Sequence, residues 1–492
     1  MKKKVRPGSL KGNWSMNDDI VFYQSSPIIN LGVVSLSTHL KQAGFKSSVI
    51  IESLERDPIQ AIRELNPRSI GFSVFSVEHS NLIRAVKRIH SVFPDIPIIV
   101  GGTHAILYPE KILKDTLATL VCHSDGEAVL VNILKKLIKS STPDWSSVEG
   151  VAYKDASGRI QVNERALLFQ YRDDVVEERT IYSERYPGLG KDEEPPFIAT
   201  RGCPYSCSFC YNSYLRKVVQ EKGQFLRQKS VGNLINEISA YVKKNNNVKI
   251  VSFVDDLFTF NGEWLTRFLL EYKAKINIPF ICTSRANEMN EGTAEKLAKG
   301  GCRTVIIGVE SGNEDIRNRV LEKRITDEQV IRCGKILRKF NIRVRSTNMF
   351  CLPDETVKDA LRTVELNIEA EIPLAFSALF MPFPDTKIFE YCKEKQLVGD
   401  NYSLENLPRS CFKTSILRVP DKQKIVNIHY LCFFFVRYPW AYRAFKQIIY
   451  IQCLKSLFYF SYILGNIIRH KEERGFGWVA TIKFVLRVRN AV

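Results

Sequence analysis

The string RGCPYSCSFCYN sets Cys203, Cys207 and Cys210 at the spacing C-x3-C-x2-C. Thiolates are ligands for soft metals, and three of them within eight residues can converge on one centre. Two chemistries fit. Three thiolates can hold three irons of a cubane and leave the fourth iron without a protein ligand. An open metal position serves catalysis, whereas structural zinc closes its shell with four ligands, commonly in paired knuckles. No second C-x2-C or C-x2-H pair lies nearby, so the cubane is the stronger reading and zinc the alternative. The other nine cysteines are scattered singly, unlike a secreted disulfide framework. The N-terminus is basic with no apolar core behind it, so it is not a signal peptide. A reducing, cytoplasmic compartment is expected.

The cysteines directly follow the apolar run PFIATR. That run opens an alternation of candidate strands, KIVSFVD, PFICTS, RTVIIGV, RVRSTNMF and AFSALFMP, each followed by a helical pattern such as VGNLINEISAYVKK. Six strand–helix units predict a partial (β/α)6 barrel over residues 195–415, and barrels of this kind place chemistry where strands end. Polar residues gather at those ends. Asp255 and Asp256 close KIVSFVD, Ser284 and Arg285 close PFICTS, and Glu310 and Ser311 close RTVIIGV. Each taken alone could equally be a solvated loop charge or a helix cap.

The cysteine spacing, with aromatic Phe209 just before the last cysteine, resembles the hallmark of the radical S-adenosylmethionine superfamily. FVDDLF, GVESG, NMFCLPDET and MPFPDT are similar to strings that recur there. The resemblance implies a 4Fe–4S cluster on Cys203, Cys207 and Cys210. Its open iron would chelate the amino and carboxylate groups of S-adenosylmethionine, and one electron would break the sulfonium–C5′ bond to give a 5′-deoxyadenosyl radical. It also implies cofactor-binding roles. Asp255 or Asp256 would meet the ammonium, Arg285 or Ser284 the carboxylate or ribose, and Glu310 the ribose, with Phe209 beside the cofactors. The chain departs from the family string at Cys351, where glycine is usual.

Residues 19–142 show a second alternation. IVFYQ, SSVIIE, SIGFSVFS, PIIVGG and ATLVCH predict strands, and amphipathic stretches such as NLIRAVKRIHSVF lie between them. This is the pattern of a doubly wound parallel α/β sheet, which binds ligands at the carboxyl ends of its strands. PIINLGVVSLSTHLKQAGF, PIIVGGTHAILYPE and HSDGEAVL resemble the cobalamin-binding domain that precedes the barrel in one radical subfamily. Gly101 and Gly102 would let the backbone approach a bulky ligand, and Ser73 or Ser76 could hydrogen-bond a base or an amide. Pro27 and Ile29 stand where a D-x-H-x-x-G motif would carry Asp and His, so no axial histidine is expected from that segment. His104 is expected to make hydrogen bonds or contact a phosphate rather than bind metal.

Residues 143–194 predict a linker with a hairpin, GVAYKDASGRIQVN. The flanks are basic: residues 1–18 form a short tail, and residues 416–492 an aromatic, helical one. Lys plus Arg number 71 against 53 Asp plus Glu, a net +18, which favours anionic partners. Gln447 to Ile468 spans twenty-two residues with Lys455 as its one formal charge, near the roughly 20 residues of a membrane span. Asn466, Gln447, Gln452 and several tyrosines make it less apolar than a span. Arg443, Lys446, Arg469, Lys471 and Arg474 flank it and suit a helix on anionic lipid. A helical cap on the barrel is the favoured reading, ahead of membrane-surface contact. No RNA-recognition module is visible, so nucleic acid is not an expected partner.

The two resemblances together imply a radical enzyme with a 4Fe–4S cluster, S-adenosylmethionine and cobalamin. It would be a methyltransferase acting on an unactivated carbon of a small-molecule or lipid-linked substrate, fed by an electron donor such as flavodoxin or ferredoxin. The alternatives are a cobalamin-independent radical oxidoreductase or cyclase and, in another class, a zinc-stabilised RNA- or membrane-binding adaptor.

Overall fold

The computed structural model describes residues 18–140, 142–189, 191–400, 402–408, 410–478 and 481. The N-terminal basic tail, Asp18 apart, and the last residues of the C-terminal tail lie outside the described residues.

The first sheet holds β1 (Ile20–Gln24), β2 (Ser47–Ile51), β3 (Ile70–Ser73), β4 (Ile98–Gly101), β5 (Leu120–Cys122), β6 (Val151–Lys154) and β7 (Ile160–Val162), ordered β2-β1-β3-β4-β5-β6-β7. β1 to β5 run parallel. Their apolar runs are buried because helices cover both faces of the sheet. The strand order reverses between β1 and β3, and the loops after those strands open a crevice there. The hairpin expected within a linker is instead part of this sheet, since β6 pairs antiparallel with β5 and β7 with β6. The rest of the expected linker is also packed. Tyr182 is fully buried and its hydroxyl donates to Gln24 Oε1 at 2.6 Å.

The second sheet holds β8 (Pro196–Phe197), β11 (Val251–Phe253), β12 (Phe280–Ser284), β13 (Cys302–Glu310), β14 (Arg343–Phe350) and β15 (Leu374–Leu379). They run parallel in the order β15-β14-β13-β12-β11-β8, an open (β/α)6 barrel. β9 (Thr200–Arg201) and β10 (Arg227–Gln228) pair antiparallel beside the cysteine loop. The barrel's register slips between Gly308 and Glu310, at the end of β13.

The tail caps the barrel's open edge at β15, which would otherwise offer unpaired strand groups. Ser377 donates to His429 O at 3.0 Å and Tyr462 to Ser377 O at 3.0 Å. Buried Glu473 pairs with Arg345, Arg469 and Arg474 at 2.9, 2.8 and 3.0 Å. The stretch 447–468 is broken by 3-10 turns before the helix Lys455–Arg474. Among the described residues no helix is long and apolar enough to cross a membrane.

Candidate active site

The cysteine loop begins at Gly202, whose φ of +88° and approach to Phe225 (a Cβ would sit 2.7 Å from its carbonyl) demand glycine. Hydrogen bonds then tie the loop down. Cys210 N donates to Cys207 O at 3.1 Å, and Ser213 Oγ donates to Cys207 O and Cys210 O at 3.0 and 2.7 Å. Arg216 donates to Cys203 O, and Ser208 Oγ to Val320 O at 2.6 Å. All three cysteines are free thiols. Burial pushes the Cys210 thiol up to about 12 and raises that of Cys203, so any metal bound there would have to displace their protons.

Arg285 lies over this loop. Its guanidinium stacks 3.7 Å from the Tyr205 ring centre, and Nη1 lies 3.6 Å from Cys207 Sγ. Its Nε is buried without a hydrogen-bond partner, a donor left available beside the cysteine loop. Ser284 is buried and shares a 2.8 Å hydrogen bond with Thr259.

The two aspartates part ways. Asp255 is 1% exposed and accepts from Ala199 N at 3.0 and 3.2 Å. Burial pushes its carboxyl up to about 7. It ties down the connection between β8 and β9 and, unlike Asp256, does not line the cleft described below. Asp256 is exposed, lines the cleft described below and reaches Asn212.

Glu310 sits at the β13 bulge with φ +66° and is held by Lys323, whose Nζ lies 3.0 Å from Oε1. Lys323 also lies 5.9 Å from the Phe209 ring centre, so one lysine joins the bulge to the cysteine loop. Ser311 is fully buried and its carbonyl accepts from Arg317 Nη1 at 2.7 Å. Cys351 has φ +60°: the backbone keeps the left-handed turn that glycine would take, despite the extra Cβ.

An open cleft, about 1390 Å³ counted to its solvent mouth, separates the ends of the two sheets. Asn30, Ser73, Gly101 and Gly102 line one wall, and Gly202, Asn212 and Asp256 the other. Gly102 has φ +92°, and a Cβ there would meet Val74 N at 2.6 Å. Asn30 caps the helix Leu31–Gln42 through Oδ1, while its Nδ2 lies 3.4 Å from Ser73 Oγ. Ser76 is not beside Ser73 in the cleft. It is buried behind the wall, bonded to His104 at 3.0 Å and to Tyr211, so its hydroxyl cannot reach a ligand. His104 makes hydrogen bonds, as expected, and is fully buried. Ile29 packs into the first sheet's core, and no histidine stands there.

Sequence reasoning missed Arg201, in the RGC string itself. It crosses to the first domain, where Nη2 lies 2.5 Å from Glu127 Oε1, and it stacks on Phe169 and Tyr171. Only its place beside the cysteines could have flagged it.

Residues 197–366 match the family model "Radical SAM superfamily", and residues 20–134 match "B12 binding domain". The chain belongs to the radical SAM superfamily and carries a B12-binding domain. It is a radical SAM enzyme, and its cofactors are a 4Fe–4S cluster, S-adenosylmethionine and cobalamin. An uncharacterized methyltransferase of Pyrococcus horikoshii is 25% identical over 352 residues, 70% of this chain and 73% of that one. Anaerobic magnesium-protoporphyrin IX monomethyl ester cyclase of Rubrivivax gelatinosus is 21% identical over 449 residues, 86% of this chain and 78% of that one. Among solved structures, the cobalamin-dependent radical enzyme OxsB with aqua-cobalamin and S-adenosylmethionine bound superposes with a TM-score of 0.66 at 17% identity. That match covers 96% of this radical SAM chain and 80% of OxsB, and it shows a common fold.

Proposed function

We propose that this radical SAM enzyme is a cobalamin-dependent methyltransferase acting on an unactivated carbon of a small-molecule or lipid-linked substrate. One observation carries the reading: a single cleft is lined by the strand ends of the B12-binding domain and by the residues flanking the cysteine loop. The Pyrococcus relative's name points the same way. The cluster supplies an electron to cleave S-adenosylmethionine, and cobalamin supplies a methyl carrier. The protein's part is placement. Cys203, Cys207 and Cys210 hold the cluster. Asp256 offers the acceptor for the ammonium, and Arg285 the donor for the carboxylate. Glu310, fixed by Lys323, faces the ribose, with Ser284 at the same rim and Phe209 packed beneath. Ser73, Gly101 and Gly102 bed the cobalamin. The electron arrives from a small carrier such as flavodoxin or ferredoxin.

We also propose that the enzyme works in the cytoplasm, against an anionic membrane surface. From Lys422 to Lys471 the chain has eight Lys or Arg and no Asp or Glu. Leu457, Phe460, Ile463 and Leu464 form an exposed apolar stripe on the helix Lys455–Arg474. An apolar stripe among bases suits anionic lipid. Leu457→Glu with Phe460→Glu should cut sedimentation with phosphatidylglycerol vesicles at least fivefold. Equal sedimentation with neutral and anionic vesicles, or no effect of the pair, would sink the surface reading.

The enzymatic test needs no substrate. Protein reconstituted anaerobically with iron and sulfide is reduced with S-adenosylmethionine, with and without cobalamin. About four irons per chain and 5′-deoxyadenosine formation are expected, both lost when the three cysteines become alanine. S-Adenosylhomocysteine should form only with cobalamin present. Deoxyadenosine without any S-adenosylhomocysteine would keep the radical and remove methyl transfer.

A further inference from the structure

Behind the cleft wall, five side chains form one hydrogen-bonded chain across the two domains. Tyr211 OH meets Ser76 Oγ, and Ser76 Oγ lies 3.0 Å from His104 Nδ1. His104 Nε2 lies 2.8 Å from His79 Nδ1, and His79 Nε2 lies 2.9 Å from Asp115 Oδ2. Ser76 is 4% exposed and both imidazoles are fully buried. Burial, followed by the neighbouring His79, lowers the His104 imidazole to about 3, so this ring is neutral.

The proton pattern follows from the far end. Lys111 lies 2.9 Å from Asp115 and also pairs with Glu405, so the Asp115 carboxylate is charge-matched and accepts. His79 then donates through Nε2 and accepts at Nδ1. His104 in turn donates through Nε2 and accepts at Nδ1 from Ser76, which accepts from Tyr211. Every member is satisfied, as a buried polar chain requires. His79, Asp115 and Glu405 are also close enough to hold a metal ion, but the Lys111 ammonium already lies between the two carboxylates.

Three of the five members sit beside segments that shape the cleft. Ser76 follows Ser73–Phe75 after β3, His104 follows Gly102–Thr103 after β4, and Tyr211 follows Cys210. We propose that the Tyr211–Ser76–His104–His79–Asp115 chain is an interdomain strap that fixes the cobalamin cleft against the cluster loop. Its members are positioning residues, and the inference rests on the cobalamin reading above. A broken strap lets the cobalamin wall shift while the cysteines keep their cluster.

His79 tests this, because it touches neither cofactor. His79→Leu should keep iron content and the reduced-cluster EPR signal. It should weaken hydroxocobalamin binding, titrated by absorbance, at least fivefold, and lower the ratio of S-adenosylhomocysteine to 5′-deoxyadenosine by a similar factor. His79→Gln can accept from His104 and donate to Asp115, and it should restore both within twofold. Wild-type binding and product ratio in His79→Leu, or failure of His79→Gln to restore them, would overturn the strap. Should His79→Leu not fold, nitrogen NMR of histidine-labelled wild-type protein at pH 7 decides. Two Nε2–H tautomers support the chain, and an Nδ1–H or doubly protonated ring at either position refutes it. A wild-type protein that binds no cobalamin would sink the functional reading instead, and the NMR result would still judge the strap.

Discussion

Arg201→Met should destabilise the protein far more than its position on a two-residue strand suggests. Arg201 Nη2 lies 2.5 Å from Glu127 Oε1, and the same oxygen accepts from Ser35 Oγ at 2.8 Å. Glu127 is 5% exposed, so water cannot replace the lost guanidinium. Breaking a buried pair by removing one partner costs about 3–5 kcal/mol, because the remaining charge stays buried. Methionine retains much of the packing on Phe169 and Tyr171, which isolates the electrostatic part. Neutralising both ends, in Arg201→Met with Glu127→Gln, should recover most of the loss. Urea unfolding followed by tryptophan fluorescence reads the effect, since Trp145 reports on the first domain and Trp264 on the barrel. The pH dependence gives a second check. Burial alone would raise the Glu127 carboxyl, but Arg201 outweighs it and holds the group below its ordinary value. That depressed value contributes stability above the unfolded carboxyl value near 4, lost as pH falls through the folded one. In Arg201→Met the carboxyl rises instead, so the deficit is largest at neutral pH and narrows toward pH 5. A single variant costing under about 1 kcal/mol, or a double variant no better than the single, would refute the reasoning.

Asp255→Asn should stabilise the protein at pH 8 by up to about 4 kcal/mol, since the carboxyl is raised from 3.8 to about 7. The folded state binds the extra proton between those values, so wild-type stability falls as pH rises through them, and the gain should vanish near pH 4. Gly102→Ala puts a Cβ 2.6 Å from Val74 N at φ +92° and should cost more than about 2 kcal/mol from handedness and clash. Gly101→Ala, whose Cβ clears the nearest atom by 3.7 Å, should cost less than half of that in the same melt. Lys323→Met strands Glu310, whose side chain is 10% exposed, and should cost about 3–5 kcal/mol. It should also raise the KM for S-adenosylmethionine in the deoxyadenosine assay.

The sequence by itself determined what depends on near neighbours. Cysteine spacing decides which thiols can share a cluster, because a short loop cannot carry them apart. Apolar runs alternating with amphipathic stretches decide a parallel α/β sheet and a barrel, because burial on both faces of a strand leaves that pattern. β1 was legible to the residue. Partnership between distant groups was decided only by the tertiary structure. Asp255 and Asp256 look alike in the chain, but both lie past the end of β11, where loop packing decides the direction of each: one bonds Ala199 and the other opens to the cleft. The hairpin Val151–Val162 carried its turn signal in sequence, but its pairing with β5 depended on a free sheet edge. Ser76 and Ser73 sit three residues apart, and the chain's bend after β3 puts only Ser73 in the cleft. His79 and His104 are twenty-five residues apart, and Arg201 and Glu127 seventy-four. Charge and hydrogen-bond pairing at such separations follows how two sheets pack, and no local pattern encodes that.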